Sequence, residues 1–241
     1  MLLEISDELY RQAENLGNLP RDEVLQLVRT SDGNSFKNYE KRRVFNSNFG
    51  WSVPCKEAVD EIKKYAREPL HDVMAGTGYW SRVLKKGGIN VIASDIHKVF
   101  IKNDYHDRKF GKQHMAQTYN AEPEKSSIKR RNALKVAFDM GRERIKGDIF
   151  ISWPPYESPV AHDALSLIPI GTRVFYVGEG TSGCTGDLAF HKNLATNFKK
   201  LKYVPLPTFE GIHDSLNIYE KISNAPIDPA FRGKVFDSSF E

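Results

Sequence analysis

Residues 72–79 read Asp-Val-Met-Ala-Gly-Thr-Gly-Tyr and carry the clearest structural signal in the chain. The segment His71–Ala75 predicts a strand, and Ser81–Lys86 predicts a helix that stops at the pair Gly87-Gly88. Glycines between a strand and a helix let the backbone approach a ligand closely, because they carry no side chain. The pattern therefore predicts a strand–helix unit of a parallel sheet, with a binding turn at the carboxyl end of the strand.

An acidic residue follows this turn at the spacing of a nucleotide site. Asp95 ends the second predicted strand, Ile89–Ser94, and lies 95 − 76 = 19 residues after Gly76. A carboxylate at this place accepts hydrogen bonds from the two hydroxyls of a ribose. The alternative is a tight turn followed by a helix cap. A dinucleotide site would need a third glycine where Ser81 stands, and the phosphate-loop pattern is missing, so a different nucleoside ligand is favoured.

The remaining apolar segments predict an α/β fold. A helix begins at Pro54, with strands at Asp148–Ser152 and Arg173–Val177 and an antiparallel pair at Tyr203–Leu206 and Ser215–Tyr219. Strands that alternate with helices indicate a Rossmann-like, doubly wound, mostly parallel sheet, here with an antiparallel last strand.

The two ends of the domain are predicted from composition. Residues 1–50 are polar with short amphipathic stretches, and we interpret them as an N-terminal helical extension of a domain that covers residues 51–241. Residues 98–147 have few apolar side chains and predict a polar insert, with a short third strand at Gln117–Asn120.

A second motif lies at the end of the strand Asp148–Ser152, where the chain continues Trp153-Pro154-Pro155-Tyr156. Two prolines cannot donate to a sheet, so they leave a rigid edge that presents carbonyl groups, and Tyr156 adds an aromatic face. The carboxyl end of a central strand is where open α/β sheets bind ligands. The alternative is a rigid turn with Trp153 in the core.

A third candidate follows the strand Arg173–Val177, where residues 178–187 are rich in glycine. Such a segment forms either the rim of a pocket or a flexible loop that caps a helix. In the first case the Glu179 carboxylate accepts a hydrogen bond from the substrate.

Charge and cysteine content restrict the partners only weakly. The 241 residues include 35 Lys plus Arg and 31 Asp plus Glu, which gives a net charge of +4. The basic clusters Lys41–Arg43 and Lys125–Arg131 either follow a nucleic-acid backbone or form solvated faces. No long apolar run or secretory pattern is present, and Cys55 and Cys184 lie far apart without metal-ligand spacing. We expect a cytoplasmic protein without a membrane segment or a metal.

The segment 72–78 resembles the first motif of the Rossmann-like methyltransferases that use S-adenosylmethionine, in which an acidic residue precedes small residues and a Gly-x-Gly turn. The resemblance implies that Ala75, Gly76 and Gly78 line the methionine part of the cofactor. It also implies that Asp95 holds the ribose and that Asp72 lies near the amino end of the cofactor. Met74 departs from the pattern, because that class often has a glycine there.

The segment 153–156 is similar to the Asp/Asn/Ser-Pro-Pro-Tyr/Phe motif of amino-methyltransferases, which act on exocyclic amines of adenine or cytosine. In that family the first side chain and a proline carbonyl accept protons from the amine, and the aromatic ring stacks on the base. Here Trp153 occupies the acceptor position and cannot accept a hydrogen bond. Either Ser152 or another acceptor such as Glu157 replaces it, or the target is not an amine.

Four segments together resemble a less-studied group of methyltransferase-like proteins: residues 50–54, 76–80, 153–156 and 183–187. The resemblance spans about residues 45–220 and implies a methyltransferase with S-adenosylmethionine as cofactor. Trp51 and Trp80 are expected to enclose the substrate together with the candidate catalytic residues Trp153, Pro154, Pro155 and Tyr156. The predicted acceptor is a nitrogen, with a nucleic-acid base as one source. A small-molecule acceptor and a cofactor-binding module without catalysis remain alternatives.

Overall fold

A seven-stranded mixed sheet forms the centre of the protein. The computed structural model describes residues 7–30, 33–96 and 128–235. The strands are β1 (Leu70–Val73), β2 (Val91–Asp95), β3 (Ile128–Arg130), β4 (Asp148–Ser152), β5 (Arg173–Gly178), β6 (Phe198–Pro205) and β7 (Ser215–Lys221). Their order is β3-β2-β1-β4-β5-β7-β6, and among these seven strands β7 alone runs opposite to the rest. The predicted mostly parallel sheet with an antiparallel last strand is confirmed.

Helices cover both faces of this sheet. They are α1 (Glu8–Gln12), α2 (Arg21–Val28), α3 (Ser35–Asn48), α4 (Lys56–Tyr65), α5 (Tyr79–Lys86), α6 (Ala133–Gly141), α7 (Val160–Leu167) and α8 (Leu188–Asn197). Helices α4 and α5 share one buried cluster with Phe175 and Val177, whereas α6, α7 and α8 share the other with Val174 and Tyr176. Alternate side chains of β5 thus point to opposite faces, as in a doubly wound sheet.

The N-terminal segment packs against the domain that follows it. Leu9, Leu16, Val24 and Phe45 are fully buried in the same cluster as α4 and α5. The Tyr79 hydroxyl donates to the Ala13 carbonyl at 2.6 Å. Burial of these apolar side chains stabilises the segment, which has too few of them to form a core alone.

Two predictions about the segment 98–147 have different outcomes. The third strand predicted at Gln117–Asn120 lies outside the described residues. From residue 128 onward the segment belongs to the sheet domain, because Ile128–Arg130 forms the edge strand β3 and α6 buries Val136 and Met140. The expectation of a polar insert was wrong for this part, since α6 presents its apolar side chains to α7 at helical spacing.

Candidate active site

The sheet topology brings the predicted motifs to one edge. Strands β1 and β4 are parallel neighbours with Asp72 opposite Phe150, so the glycine turn and the Trp-Pro-Pro-Tyr segment emerge side by side. Strands β2 and β5 flank them, which places Asp95 and Glu179 at the same edge. Strand β7 runs the other way, so its first residues also lie there. This carboxyl edge is where open α/β sheets bind ligands.

The glycine turn is fastened to the end of β2. The Gly76 amide donates to Asp95 Oδ2 at 3.0 Å, and the Ala75 amide donates to the Ser94 carbonyl at 3.1 Å. Within the turn, the Gly78 amide donates to the Ala75 carbonyl at 2.8 Å. The structure therefore brings Ala75, Gly76, Gly78 and Asp95 together, as predicted for a cofactor site. Their roles toward a cofactor stay predictions.

The two glycines of the turn have different surroundings. Gly76 has φ +54°, and a Cβ added to it would meet no described atom within 4 Å. Gly78 has φ +72°, but a Cβ there would lie 3.0 Å from Ile128 Cδ1. Gly78 thus packs against Ile128 of β3, whereas the side of Gly76 where a Cβ would lie is free of described atoms. Both conformations favour glycine. These residues fit S-adenosylmethionine, whose ribose needs a carboxylate and whose methionine part needs close access to backbone.

Asp72 lies beneath the turn. Its side chain is 1% exposed and accepts a 2.6 Å hydrogen bond from the Ser81 hydroxyl of α5. Burial, with a smaller contribution from the nearby Asp95 charge, raises the pKa of Asp72 to about 7. The Ser81 contact connects β1 to α5, and a role of Asp72 at the amino end of a cofactor stays a prediction.

The Trp-Pro-Pro-Tyr segment is rigid and tied to the loop after β5. Trp153 has φ +50°, which is uncommon for a residue with a large side chain, and its amide donates to the Val177 carbonyl at 2.9 Å. The Pro154 carbonyl accepts from the Gly186 amide at 3.0 Å, and the Pro155 carbonyl accepts from the Ser158 amide at 3.3 Å. Both proline carbonyls therefore already hold a backbone donor.

Two tryptophans stack at this edge. The rings of Trp51 and Trp153 have centroids 5.3 Å apart and planes inclined by 20°. Trp51 is 37% exposed, and Trp153 and Tyr156 are half-buried. The edge thus presents an aromatic surface that a planar substrate can contact.

A hydrogen bond to Ser52 joins Trp80 to the segment that contains Trp51. It is 5% exposed, packs on Phe150, and donates its indole N–H to the Ser52 hydroxyl at 2.8 Å. That hydroxyl also lies 3.0 Å from the Ser152 hydroxyl. Ser52 therefore joins the helix after the glycine turn to the end of β4. A contact between Trp80 and substrate stays a prediction.

Asp214 is a site residue that the sequence predictions missed. It is 5% exposed, and both of its carboxylate oxygens accept from the indole Nε1 of Trp153, at 2.9 and 3.0 Å. Asp214 immediately precedes β7, whose first residue Ser215 pairs with Gly178 at the end of β5. The predicted antiparallel direction of the last strand was the signal that could have placed it at this edge.

Glu179 lies beside Asp214 and is 5% exposed. Its Oε2 accepts from the Cys184 amide at 2.8 Å, and its Oε1 accepts from the His213 amide at 3.1 Å. Glu179 thus holds together the loop after β5 and the segment before β7. Binding of substrate by Glu179 stays a prediction.

The basic cluster Lys41–Arg43 is largely turned toward the protein. Lys41 pairs with Asp7 at 2.9 Å and Arg43 with Glu40 at 2.8 Å. Arg42 is half-buried near the carboxylates of Asp214 and Glu179, and burial lowers the pKa of its guanidinium. Lys41 and Arg43 thus have carboxylate partners at the surface, whereas Arg42 is directed toward the edge that carries Asp214 and Glu179.

The described part of the second cluster, Ile128–Arg131, includes two exposed cations. Lys129 and Arg130 are exposed on the edge strand β3, whereas Arg131 forms an ion pair with Asp139 of α6. Residues 125–127 of this cluster lie outside the described ranges.

A cavity of about 580 Å³ lies between α8 and the β6–β7 hairpin, on the face of the sheet that carries α6, α7 and α8. Tyr176, Tyr203, Tyr219 and Glu179 contribute to its walls. Of the predicted site residues, only Glu179 borders it. The cavity therefore extends away from the glycine turn.

The described ranges contain no group of three or more His, Cys, Asp or Glu side chains arranged to hold a metal ion. Across the same ranges, no helix combines the length and apolar character needed to span a membrane.

Among known proteins, similarity to this chain was found in solved structures. No family model and no curated protein matches the chain. TrmN from Thermus thermophilus is 15% identical, with a TM-score of 0.39, and the match covers 69% of this chain and 48% of TrmN. The chain thus spans about half the length of TrmN.

Two further structures are similar at the same level. The 1,6-didemethyltoxoflavin-N1-methyltransferase from Burkholderia thailandensis is 11% identical, with 70% of this chain and 78% of that one covered and a TM-score of 0.39. The magnesium protoporphyrin IX methyltransferase ChlM from Synechocystis PCC 6803 is also 11% identical, with coverages of 68% and 78% and a TM-score of 0.40. At these identities and TM-scores the likeness identifies neither the reaction nor the substrate.

Proposed function

We propose that the protein is an S-adenosylmethionine-dependent methyltransferase that methylates a nitrogen atom of a planar base. The observation that supports this most strongly is the arrangement at the carboxyl edge. The Gly76–Asp95 contact follows β1 and β2, and the Trp-Pro-Pro-Tyr segment follows the adjacent parallel strand β4. Neighbouring strands lie about 4.8 Å apart, so a cofactor at the turn and an acceptor at Trp153 would be in contact.

The residues of the turn would hold the cofactor, and the aromatic residues would hold the acceptor. The cofactor, when bound, supplies a methyl group on a positively charged sulfur. Asp95 would accept the ribose hydroxyls, and Gly76 would leave space for the rest. Trp51, Trp153 and Tyr156 would stack on the acceptor and exclude water, and aromatic faces also attract a cationic group. The contribution of the chain is then mainly to position two reactants.

The acceptor chemistry is the same for a free base and for a base within RNA or DNA. Exposure of Lys129 and Arg130 supports a polynucleotide, since cations near a site attract phosphate. We interpret residues 51–241 as the catalytic domain and residues 1–50 as its extension. We also infer a cytoplasmic location, supported by two free cysteines.

The test is to compare methylated species in cells that express the wild type or Tyr156→Ala, with Tyr156→Phe as the matched control that keeps the ring. Nucleosides from digested RNA and DNA and the small-molecule extract are analysed separately by mass spectrometry. We expect a methylated base that the wild type and Tyr156→Phe produce and Tyr156→Ala does not. Its fraction identifies the source, and its absence from every fraction would contradict the proposal.

A cofactor-binding module without catalysis is the second candidate. The observation in its favour is that Trp153 donates rather than accepts, while the Pro154 and Pro155 carbonyls already have donors. This candidate predicts that the protein binds S-adenosylhomocysteine but produces no methylated species in the same comparison.

A further inference from the structure

Among the described residues, the first position of the motif after β4 offers an amine substrate no side-chain acceptor, and a carboxylate from another part of the chain lies beside that position. Trp153 stands where the amino-methyltransferase motif has an acceptor side chain. The Ser152 hydroxyl lies 3.0 Å from Ser52, and the two proline carbonyls hold backbone donors. The indole N–H of Trp153 points instead to Asp214, a carboxylate 61 residues further along the chain.

Asp214 differs from Glu179, which is another buried carboxylate at this edge. Glu179 accepts two backbone N–H groups, which stabilise its charge and fix it in place. Asp214 accepts the indole N–H through both oxygens, at 2.9 and 3.0 Å. Each carboxylate oxygen has two acceptor sites, so this bond leaves capacity for a substrate N–H. The indole N–H lies in the ring plane, so Asp214 sits at the edge of the ring that stacks on Trp51.

The charged and titratable groups around Asp214 belong to α3, β5, the loop after β5 and the segment before β7. Glu179 follows β5, and Arg42 belongs to α3 and faces both carboxylates, although it forms an ion pair with neither. Tyr176 of β5 interacts electrostatically with Asp214, and Cys184 interacts with Glu179 and Arg42. His213 Nδ1 lies 3.8 Å from Glu179 Oε1. Burial raises the pKa of Asp214 to about 7, with a smaller contribution from the Glu179 charge, against the opposing effects of the Trp153 hydrogen bond and of Arg42. A carboxylate in this range can both accept and release a proton near neutral pH.

We propose that Asp214 accepts the proton of the nitrogen that is methylated, and that Trp153 holds it in place for this step. The proposal rests on the proposed function. The nitrogen forms a bond to the methyl group of a sulfonium donor while the methyl–sulfur bond breaks. The sulfonium becomes a neutral thioether, and the N–H proton passes to the Asp214 carboxylate. The substrate class is therefore a planar base with an N–H group, which stacks on the tryptophans with that group toward Asp214.

The first test uses tryptophan fluorescence and requires no substrate. Ionisation of Asp214 changes the field at the Trp153 indole, so emission of the wild type is expected to titrate near pH 7. Asp214→Asn keeps an oxygen for the indole N–H but has no charge, so the transition should disappear. Trp153→Phe should remove it too, whereas Trp80→Phe and Glu157→Gln should retain it. A transition that persists in Asp214→Asn, or no transition in the wild type, would overturn the assignment.

The second test measures formation of S-adenosylhomocysteine with single-stranded RNA, single-stranded DNA, adenosine and cytidine as separate acceptors. Asp214→Asn is expected to slow the reaction by about 10²- to 10⁴-fold, the range for loss of a general base, and to remove its fall below pH 7. Affinity for S-adenosylhomocysteine should stay within twofold of the wild type. If Asp214→Asn binds S-adenosylhomocysteine and its turnover is unchanged, the role of Asp214 is contradicted but the proposed function is not. A wild type that binds no cofactor would contradict the proposed function as well.

Discussion

The glycine turn after β1 and the Trp-Pro-Pro-Tyr edge after β4 lie side by side but are built in different ways. The carboxylate contacts of the turn join residues 9 and 19 positions apart, Asp72 with Ser81 and Gly76 with Asp95. The edge is completed by residues far apart in sequence, Ser52, Trp153, Glu179 and Asp214. Each contains a buried carboxyl group with a pKa of about 7, Asp72 at the turn and Asp214 at the edge. The comparison teaches that the carboxylate contacts of the proposed cofactor half follow a local pattern, whereas the proposed acceptor half depends on tertiary contacts.

The largest effect on the free energy of unfolding is expected from Asp72, the buried carboxyl group at the glycine turn. In the unfolded chain Asp72 titrates near 3.9, so its raised pKa favours folding below about pH 4 and this contribution is lost as pH rises through 7. Asp72→Asn should therefore gain stability relative to the wild type between pH 4 and pH 8, by up to about 4 kcal/mol for three pKa units. Urea unfolding at several pH values measures this difference.

Asp139→Asn is the control with the opposite sign. Hydrogen bonds with Lys135 and Arg131 lower the pKa of Asp139, so its contribution is present at high pH and is lost as pH falls. This variant should lose stability relative to the wild type as pH rises. If both variants shift in the same direction, the assignment of Asp72 as a group with a raised pKa is wrong.

Ser52, whose hydroxyl links the helix after the glycine turn to the end of β4, is expected to have the next largest effect on stability. Ser52→Ala leaves the buried indole N–H of Trp80 without its acceptor and removes the contact with Ser152. An unsatisfied buried donor costs about 1–3 kcal/mol, which urea unfolding would detect. Ser158→Ala is the control, because among the described residues that hydroxyl makes a single long contact, 3.5 Å from the Val160 amide. Equal stability of the two variants would show that Ser52 does not connect the regions.

The smallest expected effect on stability comes from alanine substitution of Gly76 or Gly78, and the two variants should differ in ligand binding. Alanine at either position costs about 1 kcal/mol, because both have φ values in the left-handed region. Gly76→Ala should also weaken S-adenosylhomocysteine binding, since its methyl group would enter the open space beside the turn. Gly78→Ala should instead displace Ile128 and affect stability more than binding. Calorimetry and urea unfolding on both variants distinguish these outcomes, and the reverse pattern would place the ligand elsewhere.

The sequence predicted the central strands well and the edge strands poorly. β4 has the predicted bounds, and β1, β2, β5 and β7 lie within two residues of theirs. In contrast, β6 begins at Phe198 rather than Tyr203, and β3 was not predicted at Ile128. Central strands are buried on both faces and form continuous apolar runs. Edge strands such as β6 contain lysines that point to solvent and weaken the apolar pattern.

The parts of the site that are formed by residues close in sequence were predictable. Gly76 and Asp95 were identified from their spacing, and the structure joins them by a hydrogen bond. Helix α3 lies within the predicted helical extension but was not predicted individually, because few of its positions are apolar, so its residue Arg42 was interpreted only as part of a charge cluster. Asp214 belongs to no local motif, and only the direction of β7 places it beside Trp153.

Calorimetric titration of the wild type with S-adenosylhomocysteine tests the central claim, that the turn between Gly76 and Asp95 holds the nucleoside of a methyl donor. We predict binding at one site. Asp95→Asn should weaken it by about 1–3 kcal/mol, as for loss of a charged hydrogen-bond partner, while keeping an oxygen for the Gly76 amide. Asp60→Ala, at an exposed carboxylate on α4, should bind like the wild type. Absence of binding by the wild type, or equal affinity in Asp95→Asn, would contradict the claim.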